Sequence, residues 1–255
     1  MLFYLPLVSQ GSLKTLLLEG MGAPDGNGVV SGVAKPVINE SGQVAFTSRY
    51  TGTNGFPYDI QGLSLYEPET DEILRIARTG DKAPGTVGDY FAFAGSSQDS
   101  TPFLTLNDAG QIGIYASATG DVNFPDMTGA GPHLFDKDGA VRIEMVGAPD
   151  PRALGVFKTF LYHGLTNSGQ MVFLGTVEID SFTISGGLFA TDSPGGSLKN
   201  ILMVGDVLPN STDTFTSFDF RGTNNNRFTL FLADDSDGDD EEPGSQDLWI
   251  AGPDV

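Results

Sequence analysis

Short apolar stretches that follow a polar turn recur along the chain, and the clearest is NESGQVAF (Asn39–Phe46). Related stretches are NDAGQIGI (Asn107–Ile114), TNSGQMVF (Thr166–Phe173) and, less clearly, TNNNRFTL (Thr223–Leu230). The residues that align at the fourth turn position are spaced by 68, 59 and 57 residues: Gly42, Gly110, Gly169 and Asn226. A period near 60 residues predicts a repeat architecture.

Three further elements recur between these turns. A Gly-Leu-aromatic strand is repeated as GLSLY (62–66), GPHLF (131–135), GGLFA (186–190) and DLWIA (247–251). An apolar strand that ends in Gly follows as ILRIARTGD (73–81), VRIEMVG (141–147) and LKNILMVGD (198–206). An aromatic patch then precedes the next turn as YFAF (90–93), FKTF (157–160) and FTSFDF (215–220). Each unit is therefore expected to contain four short strands.

Turn chemistry explains the polar part of the motif. Asn at the first turn position bonds the backbone two residues on, and Gly is preferred at the fourth position of a type I turn. In the last unit Asn226 is expected to replace the Gly, because Asn tolerates positive φ. The V-A-F stretches are expected to be buried strands, in which each Phe contributes about 1.5–3 kcal/mol.

Four-stranded meanders of this size cannot bury both faces alone. The sequence predicts an all-β, β-propeller-like ring of about four or five four-stranded antiparallel blades; a linear solenoid is the alternative. SLKTLLLEG (12–20) resembles SLKNILMVG (197–205), so the N-terminus is expected to complete the sheet that the C-terminus begins. We expect one repeat domain over 1–255, with the approximate units 2–60, 61–130, 131–185 and 186–246 and a closing strand at 247–251.

The amino-acid composition and net charge exclude some classes of partner and of chemistry and disfavour others. The net charge of −20, from 33 acidic and 13 basic residues, disfavours nucleic acid and anionic lipid, which are bound by Lys and Arg. The chain has no Cys, which excludes disulfides, thiol nucleophiles and Cys-ligated metals. The start, MLFYLPLVSQG, lacks a basic residue before Lys14 and does not fit a signal peptide, and no stretch is long enough to span a bilayer.

The repeated turn-plus-strand pattern resembles the tandem NxxGxxAF repeats of bacterial exported proteins whose C-terminal anchor varies. Asn39–Phe46 matches this motif in full, and the other three units match in part. The resemblance implies an exported or cell-surface repeat protein that is propeller-like, and it supplies no catalytic residue to carry over.

The acidic run DDSDGDDEE (234–242) is a candidate calcium site, with Asp235, Asp237, Asp239 and Glu241 as ligands. Carboxylates at alternate positions around Gly238 are similar to those of calcium loops, although no Glu stands at the twelfth position. A solvated acidic loop is the alternative. Calcium is the one cofactor that the sequence suggests.

Other polar positions give weaker signals. Asp81 and Asp206 follow Gly at equivalent places, either as turn caps or as part of a shared cation or ligand site. His133 and His163 are the two histidines, and their spacing does not favour zinc. No G-x-S-x-G nucleophile elbow is present.

Two classes of function follow. The first hypothesis is a non-enzymatic exported or cell-surface module for ligand binding, adhesion or surface assembly, with polysaccharide or protein as partner and self-association through edge strands. The alternative is a carbohydrate-active enzyme that uses paired carboxylates. With 33 acidic residues, spacing alone cannot choose such a pair, so no catalytic residue is predicted.

Overall fold

A computed structural model describes residues 13–54, 60–85, 88–93, 104–119, 129–144, 146–235 and 247–252. Within these residues the chain forms sixteen β-strands and no helix, which confirms the all-β prediction. Consequently the described part of the chain contains no helix of the length and hydropathy that a membrane span requires.

Sheet one is a four-stranded antiparallel meander in the order β1-β2-β3-β4. Its strands are β1 (Val29–Ile38), β2 (Val44–Thr51), β3 (Ile60–Glu67) and β4 (Glu72–Arg78). β2 begins one residue after the NESG turn, and β3 contains the Gly-Leu-aromatic element, as the repeat predicts.

Sheet two has an interrupted first strand. β5 (Tyr90–Phe93) and β6 (Leu104–Leu106) both pair with β7 (Ile112–Ala118). The sheet continues with β8 (Gly129–Asp136) and β9 (Gly139–Arg142).

Sheet three repeats the layout of sheet one. It contains β10 (Val156–Leu165), β11 (Met171–Asp180), β12 (Thr183–Thr191) and β13 (Leu198–Met203), in chain order. All neighbouring strands in this sheet are antiparallel.

Sheet four has three strands in the described residues: β14 (Phe215–Thr223), β15 (Thr229–Asp235) and β16 (Asp247–Ala251). Residues 13–17 have no assigned secondary structure and do not pair with β16. The expected completion of this sheet by the N-terminal segment is therefore not observed in the described residues. The sequence units are also offset from the sheets, since each sheet begins at an aromatic-patch strand or its counterpart.

The hydrophobic core lies between successive sheets. One buried cluster joins sheets one and two, a second joins sheets two and three, and a third joins sheets three and four. Phe173 and Phe189, for example, are fully buried against Leu134 of sheet two. The first strands also touch in series, β1 with β6, β6 with β10, and β10 with β14. Each sheet thus depends on its neighbours for burial, as expected for thin meanders.

Candidate functional site

The corner turns lie together at one end of the sheets. Gly42, Gly110 and Gly169 have φ values of +79°, +77° and +76°. These values are in the left-handed region, which favours glycine. A Cβ on Gly110 or Gly169 would also meet the preceding unit's Gln43 or Gln111 at 3.1 or 2.6 Å. The recurring Gly therefore allows the turn conformation and also leaves room for the Gln side chain of the preceding unit.

The first residue of each turn holds the turn closed through its side chain. Asn39 Oδ1 accepts the Gln43 N–H at 2.9 Å, and Asn107 Oδ1 accepts the Gln111 N–H at 2.8 Å. Thr166 Oγ1 takes the same place and accepts the Gln170 N–H at 3.1 Å. The predicted bond to the backbone two residues on is observed at Asn107, whose Oδ1 also accepts the Ala109 N–H at 3.1 Å, whereas the bonds to the residue four positions on were not predicted.

The fourth turn corrects the sequence alignment by one residue. Asn224 Oδ1 accepts the Phe228 N–H at 3.1 Å, so Asn224 stands where Thr223 was expected. Arg227, with φ of +66°, occupies the glycine position in place of Asn226. Arg227 N–H donates to the Asn224 carbonyl at 3.0 Å, the same closing bond that Gly42 makes to Asn39.

Hydrogen bonds join the four turns in a row. The second residue of each of the first three turns donates its backbone N–H to a side-chain oxygen of the second residue in the next turn. These bonds run from Glu40 to Asp108 (3.0 Å), from Asp108 to Asn167 (2.9 Å) and from Asn167 to Asn225 (2.7 Å). We call this chain of turns the turn row.

The Asn side chains reinforce the turn row. Asn39 Nδ2 donates to the Asn107 carbonyl at 2.9 Å, and Asn107 Nδ2 donates to the Thr166 carbonyl at 2.8 Å. Each Asn amide thus closes its own turn through its oxygen and bonds the next unit through its nitrogen. The Asn of the motif therefore stabilises both its own turn and the contact with the next unit.

A cleft of about 520 Å³ opens beside the first three turns. Its polar lining consists of side chains that include Gln43, Glu67, Gln111, Asp136, Lys137 and Asp138. Gln43 Nε2 donates to Glu67 Oε1 at 2.7 Å, and Asp136 Oδ1 accepts the Asp138 N–H at 2.8 Å. Neighbours therefore hold both Gln43 and Asp136 in fixed orientations. We call this cleft one.

An equivalent cleft of about 400 Å³ lies between sheets three and four. Gln170 and Asp192 occupy in it the places that Gln43 and Glu67 occupy in cleft one. Gln170 Nε2 donates to the Thr191 carbonyl at 2.6 Å, and Arg227 and Lys199 add positive charge. We call this cleft two. Sequence reasoning overlooked these Gln residues, although Gln follows the turn Gly in three of the four units.

A third cleft, of about 650 Å³, is lined by residues of the loop that precedes β1 (residues 19–28, the first connecting loop) and of β4, among them Asp25, Arg75 and Arg78. Arg78 is buried, lies 4.7 Å from the Tyr50 ring centroid and pairs with Asp25. Burial opposes ionisation of Asp25, but bonds from Arg78 and the Asn27 N–H, with the charges of Arg78 and Arg75, outweigh it and lower the pKa of Asp25. This ion-pair group fastens the loop to the sheet.

Asp81 and Asp206 act as caps in equivalent connecting loops. Their carboxylates accept the backbone N–H of Arg78 at 2.7 Å and of Met203 at 2.8 Å, respectively. Arg152 binds Asp206 in bidentate fashion at 2.7 and 2.6 Å. The bonds from Arg152 and Met203, with the Arg152 charge, outweigh burial and lower the pKa of Asp206. The cap interpretation explains the contacts of both Asp residues.

The acidic run is only partly described. Asp235 lies in β15, where it pairs with Phe215. Asp237, Asp239 and Glu241 lie outside the described residues, so the calcium site stays a prediction. Among the residues that the structure describes, no group of three or more His, Asp or Glu side chains is placed to hold a metal ion.

The two histidines lie on different sheets. His133 is buried in β8, its Nδ1 lies 3.0 Å from the Gly131 carbonyl, and its Nε2 has no partner in the described structure. Burial lowers the pKa of His133 to about 4. His163 lies in β10 and pairs with Phe173. His133 is thus a neutral core side chain.

Comparisons with known proteins give a family and distant structural similarities. No curated protein matches the sequence. Solved structures similar to this chain include an α-L-arabinanase from Penicillium chrysogenum complexed with arabinobiose, at 14% identity and a TM-score of 0.37. That match covers 90% of this chain and 64% of the arabinanase chain, so this chain spans less than two thirds of that protein.

A TM-score this low carries no argument about activity. The family match is of a different kind, because it rests on sequence and covers almost the whole chain. The model of a family of unknown function, DUF7453, matches residues 5–248. The chain belongs to this family.

Proposed function

We propose that this protein is a non-enzymatic, propeller-like binding module of the cell surface whose turn-row clefts hold a neutral polyhydroxylated polymer, a polysaccharide. The observation that carries the proposal is the repetition of one cleft design. Gln43 with Glu67 and Gln170 with Asp192 line equivalent clefts in different units. Repeated sites along one edge suit a ligand that is itself a repeat.

The arrangement of the sheets supports the propeller-like part of the proposal. Successive sheets pack face to face, and their first strands lie side by side. Their corner turns gather in one hydrogen-bonded row. Successive blades of a propeller show these same relations.

The lining chemistry supports the ligand class. Side-chain amides both donate and accept hydrogen bonds, and carboxylates accept them, as sugar hydroxyls require. Cleft one combines Gln43 and Gln111 with Glu67, Asp136 and Asp138. The net charge of −20 opposes polyanionic ligands.

The strength of binding is expected to come from repetition. None of the described residues that line the two clefts has an aromatic side chain on which a sugar ring could stack. Single sites should therefore be weak, while a polymer that spans both clefts gains from effective concentration.

The enzymatic alternative finds less support. A glycosidase needs a general acid with a raised pKa. Among the residues that the structure describes, the carboxyl groups whose pKa departs from its ordinary value are Asp25, Asp180 and Asp206, and each of these pKa values is lowered. These three groups are held ionised, which is the opposite of what a general acid requires.

Binding and hydrolysis of neutral polysaccharides, measured side by side, test the proposal. Saturable binding without turnover is the expected result. Glu67→Gln and Asp192→Asn should each weaken binding. The double variant should lose more affinity for the polymer than for a short oligosaccharide. Glu19→Gln is the matched control, because Glu19 is an exposed carboxylate in the first connecting loop and lines neither cleft one nor cleft two.

Turnover that one carboxylate substitution abolishes would overturn the binding-module proposal in favour of the enzyme. Absence of binding to every neutral polysaccharide would overturn the proposed ligand class. Export to the cell surface rests on the resemblance to NxxGxxAF repeat proteins. The calcium prediction is tested separately by melting the protein with and without a chelator.

A further inference from the structure

Sheet four presents an apolar face that the equivalent sheets bury. In sheet three, the side chains that face the next sheet are 1–7% exposed: Val172, Leu174, Leu188 and Ala190. Strand register places Leu230, Leu232, Leu248 and Ile250 at the same positions in sheet four. Of these, Leu230 is 39%, Leu248 65% and Ile250 52% exposed. We call this surface the open face.

The first strand of sheet one also exposes apolar side chains that its counterpart in sheet three buries. Val33 and Ile38 on β1 are 46% and 70% exposed. Their counterparts in β10 are Phe160, which is 5% exposed, and Leu165, which is packed in the cluster between sheets two and three. β10 is covered because a preceding sheet lies beside it, whereas β1 has no described strand there. We call this surface the open edge.

The turn row has matching polar ends. The second-position residues of the first three turns donate their N–H forward to an oxygen of the next turn. Among the described bonds none continues from the Asn225 N–H, at the end beside the open face. At the other end the Glu40 carboxylate stands where Asp108, Asn167 and Asn225 accept the bond from the turn before them.

The N-terminal segment has the sequence of a fourth strand. SLKTLLLEG (12–20) corresponds to SLKNILMVG (197–205), which contains β13. The backbone agrees, since Met21 N–H bonds the Leu18 carbonyl as Asp206 N–H bonds the Met203 carbonyl. Leu18 is 57% exposed, however, whereas Met203 is 2% exposed beside its strand neighbour β12.

We infer that two copies of this chain associate head to tail. The open edge of one copy covers the open face of the other, and the segment Leu13–Leu18 of the first copy adds to β16 as the fourth strand of sheet four. The contact between the two copies would have the same arrangement as the contact between sheets three and four within one chain, so it requires no new kind of packing. Strand addition also gives partners to the backbone groups on the free side of β16, which pairs only with β15 among the described residues and would otherwise invite nonspecific pairing.

A second copy fits the described contacts better than the chain's own N-terminus. Residues 13–18 are held at sheet one, where Lys14 bonds Tyr66 and Asp71 and Leu17 packs on the cluster that contains Val30 and Tyr50. Strand contacts run from sheet one to two, two to three and three to four. An interface that joins unlike surfaces of identical copies forms rings if its rotation closes and filaments if it does not.

Sedimentation velocity over a range of protein concentrations tests the inference. Oligomers should grow with concentration, and more strongly at high ionic strength, because each copy carries a charge of −20. Leu248→Asp with Ile250→Asp blocks the open face, and Val33→Asp with Ile38→Asp blocks the open edge. Each double variant should weaken association at least about tenfold and leave the melting temperature near wild type, because the altered side chains are exposed.

Mixing the two blocked variants gives the sharpest result. Each retains the surface that the other lost, so head-to-tail contact predicts a one-to-one dimer that neither variant forms alone. Phe182→Asp is the matched control, since Phe182 is 98% exposed at the turn between β11 and β12, away from both surfaces. It should associate as wild type does.

Three results would overturn the inference. A strict monomer at every concentration excludes the second copy, and slow hydrogen exchange at β16 in that monomer would assign the open face to the chain's own N-terminus. A dimer that the Val33→Asp, Ile38→Asp variant still forms alone would show a symmetric contact between two open faces. An unchanged assembly in the Leu248→Asp, Ile250→Asp variant would place the interface elsewhere.

Discussion

Sheets three and four carry apolar side chains at the same positions of their second and third strands, yet only sheet three buries both faces. Leu188 and Leu248 occupy matching places, and the first is fully buried while the second is mostly exposed. The two sheets share a strand order, a corner turn and a connecting loop that begins with a glycine of φ near +90°. The difference lies in what covers them.

This comparison shows that burial in a repeat protein is a property of the neighbour as much as of the unit. Val172 and Ala190 are buried because Phe215 and Phe231 of the next sheet pack on them. Leu230 and Ile250 have no next sheet in the described chain. Four predictions follow from the contrast, in order of expected size.

The largest contrast is expected from truncating the matched leucines. Leu188→Ala removes a fully buried side chain and should lower the free energy of unfolding by about 2–5 kcal/mol. Leu248→Ala removes an exposed side chain and should change it by less than about 0.5 kcal/mol. Urea unfolding at a concentration where the protein is monomeric measures both. Equal losses would show that sheet four is covered in solution even in the monomer.

A second contrast concerns the position that His133 holds in sheet two and Phe189 holds in sheet three. Burial lowers the pKa of His133 to about 4 from its ordinary 6.5, so the unfolded chain binds the extra proton between these values. The free energy of unfolding should therefore fall as the pH drops from about 6.5 towards 4, by about 3 kcal/mol from this group.

His133→Phe restores the residue type of sheet three and removes this contribution to the acid sensitivity. It also replaces a buried Nε2 that has no described partner. Melting curves between neutral pH and pH 4 for both proteins make the comparison. An identical pH slope in the variant would contradict the role of His133.

Much of the structure of each unit could be predicted from the sequence, because the signals for it are local. The turn Asn and Gly, the strand order of a unit and the burial of Phe46 and Phe173 follow from turn chemistry and hydrophobic pattern alone. The clefts were harder to predict from the sequence. Gln43, Gln111 and Gln170 each stand directly before a strand, so their recurrence can be explained by the turn-plus-strand repeat alone. Their recurrence after Gly was the available signal.

Two features could not be predicted, for different physical reasons. The fourth turn contains three successive Asn residues, each able to close a turn, so side-chain type alone could not fix the register that puts Arg227 at positive φ. Completion of sheet four depends on where the two ends of the chain lie relative to each other. That relation is set by the summed rotation between sheets, which no local pattern encodes.

Turns three and four provide a third contrast. Gly169→Ala places a Cβ at positive φ, 2.6 Å from Gln111 Oε1 and Pro194 Cγ, and should cost about 1–2 kcal/mol. Arg227→Gly makes turn four resemble turn three and should stabilise by up to about 1 kcal/mol, because relief of backbone strain is partly offset by the freedom of Gly in the unfolded chain. Chemical denaturation of the two variants measures both signs. Destabilisation by Arg227→Gly would mean that the Arg227 side chain contributes more in cleft two than its backbone strain costs.

The smallest contrast is expected between the connecting loops that lead into sheets three and four. Arg152 of the first loop binds Asp206 of the second, and the partly exposed pair should contribute about 0.5–1 kcal/mol. The pKa of Asp206 is lowered, so this stability is present above the ordinary carboxyl pKa and is lost as the pH falls through the folded-state value. Asp206→Asn should therefore destabilise the protein at neutral pH and matter less in acid, whereas Arg152→Ala tests the pair from the other side. If the two losses at neutral pH add in the double variant, the residues act independently, and the bidentate contact does not couple the two loops.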